Sequence, residues 1–156
     1  MKHVFNKKSV FIIFLVLWLS VNLLQAFFTG LAHDEAYYWM YSRHLAWGYF
    51  DHPPMVALLI KAGYSIMPHE LGVRLFFCLL STLTLWLIYK MYPGHEWMFA
   101  FTVPAVALFH THVAGFLAIP DIPLVFFTVL FLFLYKRYLD NNTTLLAVMI
   151  GFTAAG

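Results

Sequence analysis

Charge is scarce in this sequence. Asp, Glu, Lys and Arg together make up 10% of its 156 residues, and the formal net charge is +2. So small an excess, with no dense basic run, argues against nucleic acid as a partner. A single cysteine, Cys78, excludes an internal disulfide framework, and inside an apolar stretch it reads as a small packing residue. No internal repeat or low-complexity segment interrupts the chain.

Apolar surface is what the sequence has in excess. Hydrophobic residues reach 63%, aromatics 20%, and the mean hydropathy is +0.80. A soluble domain of this length has no core large enough to hide that surface, so lipid is its solvent. The composition is that of an integral, all-α membrane protein.

From Ser9 to Ala32 no Asp, Glu, Lys or Arg occurs, and Lys2, Lys7 and Lys8 precede the run. A helix across ~30 Å of hydrocarbon needs about 20 residues, so a first span is expected over about 9–31. Gly30-Leu31-Ala32 also resembles a signal-peptide cleavage site, but the run exceeds the ~7–15-residue apolar region of such peptides. Further spans are expected over about 71–91, 97–119 and 122–138, with a fifth starting near Leu145. Arg74 and Lys90 are expected to snorkel outward from the ends of the second span. The fifth run reaches Gly156 after about 12 of the ~20 residues a span requires. The 156 residues therefore read as one transmembrane domain fragment, either truncated or completed by a partner.

The connection 32–70 is polar and aromatic. Ala36, Trp39, Met40, Arg43, His44 and Trp47 recur at helical spacing, which predicts a short helix from Asp34 to Trp47. Pro53-Pro54 blocks its continuation, and Met55 to Met67 reads as a second short helix. Both suit a membrane interface, where tyrosine and tryptophan prefer to sit. With the N-terminus in the cytoplasm, Lys2, Lys7, Lys8, Lys90, Lys136 and Arg137 fall inside, against Arg43, Lys61 and Arg74 outside. That split satisfies the positive-inside rule. It puts Asp34, Glu35, Asp51, Glu70 and Asp121 outside, and the formal sequons at Asn141 and Asn142 inside, where they read as loop.

The external acids are the candidates for chemistry. Asp34 and Glu35 have a plain reading, as a helix cap and a first-turn acid facing the positive helix end. Their functional reading is general base, because a carboxylate partly desolvated among aromatic rings suits proton abstraction. Asp51-His52 offers a carboxylate and an imidazole that suit a divalent ion or a phosphate, although a turn before Pro53 explains Asp51 equally well. Asp121, within Pro120-Asp-Ile-Pro123, serves as a cap or as a further acid at the outer edge. His110 and His112, at i,i+2 in the third span, point to different helix faces and read as helix–helix contacts rather than ligands of one ion. Tyr37, Tyr38, Trp39, Trp47 and Tyr49 offer a surface for a sugar or a prenyl chain.

Taken together, Asp34-Glu-Ala-Tyr-Tyr-Trp-Met-Tyr-Ser42, Trp47-Gly-Tyr-Phe-Asp-His-Pro-Pro-Met-Val-Ala57 and Pro120-Asp-Ile-Pro-Leu124 resemble a known family. The chain is similar to the N-terminal part of a bacterial GT-C membrane glycosyltransferase, of the protein O-mannosyltransferase and aminoarabinose transferase kind. The resemblance implies a polytopic helical fold with two interfacial helices in the first external loop. It implies transfer of a sugar from a polyprenyl-phosphate donor to a protein, lipid or glycan acceptor outside the cytoplasmic membrane. Asp34 would match the acid that activates the acceptor, with Glu35 beside it, and Asp121 the acid of the second external loop. Asp51 would match an acid that binds a divalent metal in some relatives. His52 would lie near the donor phosphate, where some relatives carry lysine, and Arg43 or Lys61 would assist by charge-assisted hydrogen bonds.

The rival reading is a non-catalytic membrane subunit or a degenerate remnant. A transporter fragment fits less well, because the acids cluster in one external loop rather than at mid-membrane.

Overall fold

The computed structural model describes residues 7–91 and 115–155. Six helices follow in order: α1 (Lys7–Phe28), α2 (His33–Arg43), α3 (Met55–Ile66), α4 (Glu70–Met91), α5 (Asp121–Asp140) and α6 (Thr144–Ala155). The fold is all-helical, with no strand among the described residues. Helices α1, α4 and α5 are long and apolar enough to cross a membrane, and α6 is a shorter apolar helix. With the spacing of apolar runs already described, this makes the chain a multi-pass membrane protein.

Named contacts give the directions of the long helices. Phe11 on α1 stacks on Tyr89 of α4 with ring centroids 3.9 Å apart, and Trp18 Nε1 donates to Ser81 Oγ at 3.2 Å. Near the other end, Arg74 of α4 donates to the Ala26 carbonyl at 3.1 Å. Helices α1 and α4 are therefore antiparallel. Helix α5 runs the same way as α4: Lys136 Nζ bonds the Met91 carbonyl at one end, and Ile122 packs with Val73 and Phe77 at the other. Lys8, Lys90, Lys136 and Arg137 thus gather at one end, while α2, α3 and the acids occupy the opposite one.

At the acidic end, Tyr38, Val56, Ile60, Val73, Phe77 and Ala118 form a buried cluster that ties α2, α3, α4 and the approach to α5 together. Helices α3 and α4 meet at Gly63 and Gly72, where a Cβ on either glycine would strike the other's backbone carbonyl. The close approach needs glycine for its lack of bulk.

Three expectations differ from the structure. Helix α2 stops at Arg43 instead of continuing to Trp47, whose side chain is fully exposed. The Tyr49 ring stacks on Tyr41 at 4.0 Å, and its hydroxyl lies 3.0 Å from the Tyr41 carbonyl and 3.2 Å from that of His44. The Tyr41 carbonyl also accepts the His44 N–H at 3.0 Å, so Tyr49 reinforces the last turn of α2 and acts as a local stop. Of the third expected span, residues 97–114, with His110 and His112, lie outside the described residues. Its expected end is not helical: residues 115–119 run through a turn, a bend and irregular backbone before Pro120. Arg74 does not snorkel: it has no exposed surface at all.

Candidate active site

The dipeptide Asp34-Glu35 opens α2, and its two carboxylates have different surroundings. Glu35 is fully buried and saturated. Its Oε1 accepts from Arg74 Nε at 2.7 Å and from the Ala118 N–H at 2.9 Å. Its Oε2 accepts from Arg74 Nη2 at 2.5 Å and from the Ala32 N–H at 2.9 Å. The last bond satisfies one of the free amides at the helix start, so the capping role expected of Asp34 belongs to Glu35. Burial alone would raise the Glu35 pKa. Hydrogen bonds from Arg74, Ala118 and Ala32, together with the Arg74 charge, outweigh that effect and hold the carboxyl below its usual range.

Arg74 is equally committed. Besides Glu35 it donates to the carbonyls of Ala26 at 3.1 Å, Thr29 at 2.5 Å and Gly30 at 2.8 Å. Its guanidinium lies 5.1 Å from the Phe116 ring centre. The bidentate fork suits such a site, where a lysine would offer only a point charge. The pair joins the end of α1, the start of α2, the first turns of α4 and the 115–118 segment. Glu35 was expected to share the catalytic role of Asp34. With every oxygen taken and no surface open, it holds the backbone around Asp34.

Asp34 is the opposite case. It is exposed and makes no hydrogen bond among the described residues. One turn on, Tyr37, Tyr38 and Tyr41 share its face of α2, as i+3, i+4 and i+7 require. These tyrosines hold the turn that carries Asp51 and His52. Tyr41 donates to Asp51 Oδ1 at 3.0 Å, Tyr37 reaches the same oxygen at 3.4 Å, and the two phenols bond each other. The Tyr38 hydroxyl lies 3.1 Å from His52 Nε2, and Asp51 Oδ2 is 3.5 Å from that nitrogen.

Asp121 completes the group. It is exposed at the first residue of α5 and makes no hydrogen bond among the described residues; the preceding Pro120 occupies the N-cap. The Tyr38 pKa is held above its usual value, first by burial and then by the charges of Asp34, Asp51 and Asp121. The charges of three carboxylates from three separate stretches of chain therefore act on one phenol. Residue spacing could not show this convergence.

Arg43 and Lys61 are not drawn into the group. Arg43 is exposed with its guanidinium 5.7 Å from the Trp39 ring centre, and Lys61 is exposed on α3. No contact joins either to Asp51 or His52 among the described residues. For a divalent ion, the turn offers Asp51 and His52 as adjacent donors. No group of three or more His, Cys, Asp or Glu side chains among the described residues could hold one. That donor set is too small for a cage built by protein alone, but one carboxylate meets the needs of Mg²⁺ shared with a phosphate ligand and waters.

Sequence reasoning missed Arg74 and the tyrosine tethers. An arginine within an apolar helix was the available signal, since an ionisable group there usually has a named partner.

No curated protein and no solved structure matches the chain. The sequence profile of dolichyl-phosphate-mannose-protein mannosyltransferases does match, over residues 51–156, a range that includes Asp51, His52 and Asp121. Extending over most of the chain, on an all-helical membrane fold with carboxylates gathered at one end, that match fixes the family. The chain belongs to the dolichyl-phosphate-mannose-protein mannosyltransferase family of GT-C membrane glycosyltransferases.

Proposed function

We propose that this chain carries the first part of a site that moves a sugar from a polyprenyl-phosphate donor to a protein, lipid or glycan acceptor. The site lies on the external face of the cytoplasmic membrane, with the N-terminus inside. The observation that carries this reading is the unpartnered, exposed Asp34 carboxylate beside a buried, saturated Glu35, with Asp51, His52 and Asp121 around the same phenol.

Asp34 takes the proton from an acceptor hydroxyl or amine as that oxygen or nitrogen attacks the anomeric carbon. The bond from that carbon to the donor phosphate breaks, and the phosphate leaves with the electron pair as polyprenyl phosphate. Attack opposite the leaving group inverts the anomeric centre. His52 meets the phosphate oxygens by hydrogen bonding, and Asp121 lines the acceptor side. Asp51 would hold a divalent ion shared with the phosphate, and such an ion would offset phosphate charge when bound. The donor's prenyl chain lies in lipid, which accounts for a site at the end of the spanning helices.

The test is Asp34→Asn in the full-length protein, assayed for transfer in membranes. A general base contributes about 10²–10⁴-fold, so transfer is expected to fall by that order while insertion and thermal stability stay as in wild type. Transfer at the wild-type rate would remove Asp34 from the role of base.

A further inference from the structure

We propose that Tyr38 is a positioning residue for His52. Its hydroxyl donates to His52 Nε2 and so fixes the ring in the tautomer that carries hydrogen on Nδ1. Taken with the reading of His52 as a phosphate contact, on which this use depends, Nδ1–H is the group the donor phosphate meets.

The geometry is specific. The Tyr38 ring is 7% exposed, packed in the cluster with Val56, Ile60, Val73, Phe77 and Ala118. Its hydroxyl lies 3.1 Å from His52 Nε2, and the two rings meet edge to face with centroids 4.9 Å apart at 84°. A buried phenol needs an acceptor for its proton. Nε2 is its one hydrogen-bonding partner among the described residues.

A neutral imidazole has one donor and one acceptor nitrogen. If Nε2 accepts from Tyr38, Nδ1 must carry the hydrogen. Asp51 Oδ2, 3.5 Å from Nε2 and not hydrogen-bonded to it, pulls toward the opposite tautomer, and the nearer Tyr38 hydroxyl opposes that pull. Nδ1 makes no hydrogen bond among the described residues, and the His52 side chain is 27% exposed, so that N–H has no protein acceptor to give up for a ligand. The opposite tautomer would present a bare lone pair, which repels phosphate oxygens. Tyr38 thereby makes the neutral ring an anion-binding donor without requiring a charged imidazolium.

The experiment is ¹⁵N NMR of the full-length protein, labelled at histidine and held in lipid nanodiscs at neutral pH. The His52 signals are assigned by their loss in His52→Gln. A protonated Nδ1 and an unprotonated Nε2 are expected in wild type, giving way to a mixture of tautomers in Tyr38→Phe. A protonated Nε2 in wild type, or no change in Tyr38→Phe, would overturn the inference.

A second measurement uses farnesyl phosphate as the probe. Tyr38→Phe is expected to weaken its binding severalfold when residue 52 is histidine and to have no effect in the His52→Lys background, because a lysine ammonium has no tautomer to fix. Equal weakening in both backgrounds would overturn the positioning role. The phosphate reading fails separately, if His52→Gln binds the probe as wild type does while the tautomer result stands.

Discussion

Across 39 residues of chain, Arg74 and Glu35 meet with Nε 2.7 Å from Oε1 and Nη2 2.5 Å from Oε2, and neither has exposed surface. A charge pair so far from water is stable only when each remaining lone pair and proton has a partner. Here the Ala32 and Ala118 amides complete the carboxylate, and three carbonyls complete the guanidinium. The pair holds the frame in which Asp34 stands free.

Removing one partner therefore costs far more than removing both. Arg74→Met leaves a buried carboxylate unpaired and is expected to destabilise the protein by about 3–5 kcal/mol. Glu35→Leu alone has a comparable effect, by leaving the guanidinium uncompensated. The double variant is expected to be milder than either single change. Thermal unfolding of the four proteins in nanodiscs checks this as a double-mutant cycle.

The same pair sets a pH dependence. The folded Glu35 pKa lies below its unfolded value, so its stabilisation is fully present above the unfolded pKa of about 4.3. It is lost as pH falls from there through the folded value. The melting temperature is expected to drop with acid in that window, and Glu35→Gln should flatten that part of the profile. A melting profile that Glu35→Gln leaves unchanged would show that the carboxylate titrates alike folded and unfolded.

Close packing at the α3–α4 contact predicts a different kind of loss. Gly63→Ala drives a Cβ into the Gly72 carbonyl, and overpacking of this sort costs about 1–3 kcal/mol. Gly151→Ala, with nothing within 4 Å, is the matched control and should not destabilise the protein. Melting temperatures of the two variants decide the point.

The tyrosine tethers predict a graded loss of activity. Tyr41→Phe is expected to lower transfer by the full-length protein more than Tyr37→Phe, because the Tyr41 hydroxyl is the nearer to Asp51, at 3.0 Å against 3.4 Å. Neither should alter stability much, since both phenols act at exposed positions. A transfer assay beside a melting curve separates the two effects.

Much of the architecture could be read from apolar runs, because a span's length is fixed by the bilayer. Acid-bearing segments could be found for the same reason: in a sequence poor in charge, Asp34, Asp51 and Asp121 stand out. Their division of labour could not be read. Locally only the Ala32 amide distinguishes Glu35 from Asp34, both first-turn acids; the Arg74 side chain and the Ala118 amide, brought from other segments, commit one and leave the other free. The helical period that runs on to Trp47 predicts a longer α2, whereas Tyr49, a few residues further along the chain, folds back on the last turn and stops it.

The hydrogen bond from Ala118 to Glu35 also bears on biosynthesis. The amide that completes the carboxylate belongs to a segment the ribosome makes 83 residues after Glu35 itself. Until that segment emerges, the first loop holds a desolvated acid one donor short. The first loop therefore matures late, and a nascent chain halted before residue 118 is expected to be open to quality-control proteases there.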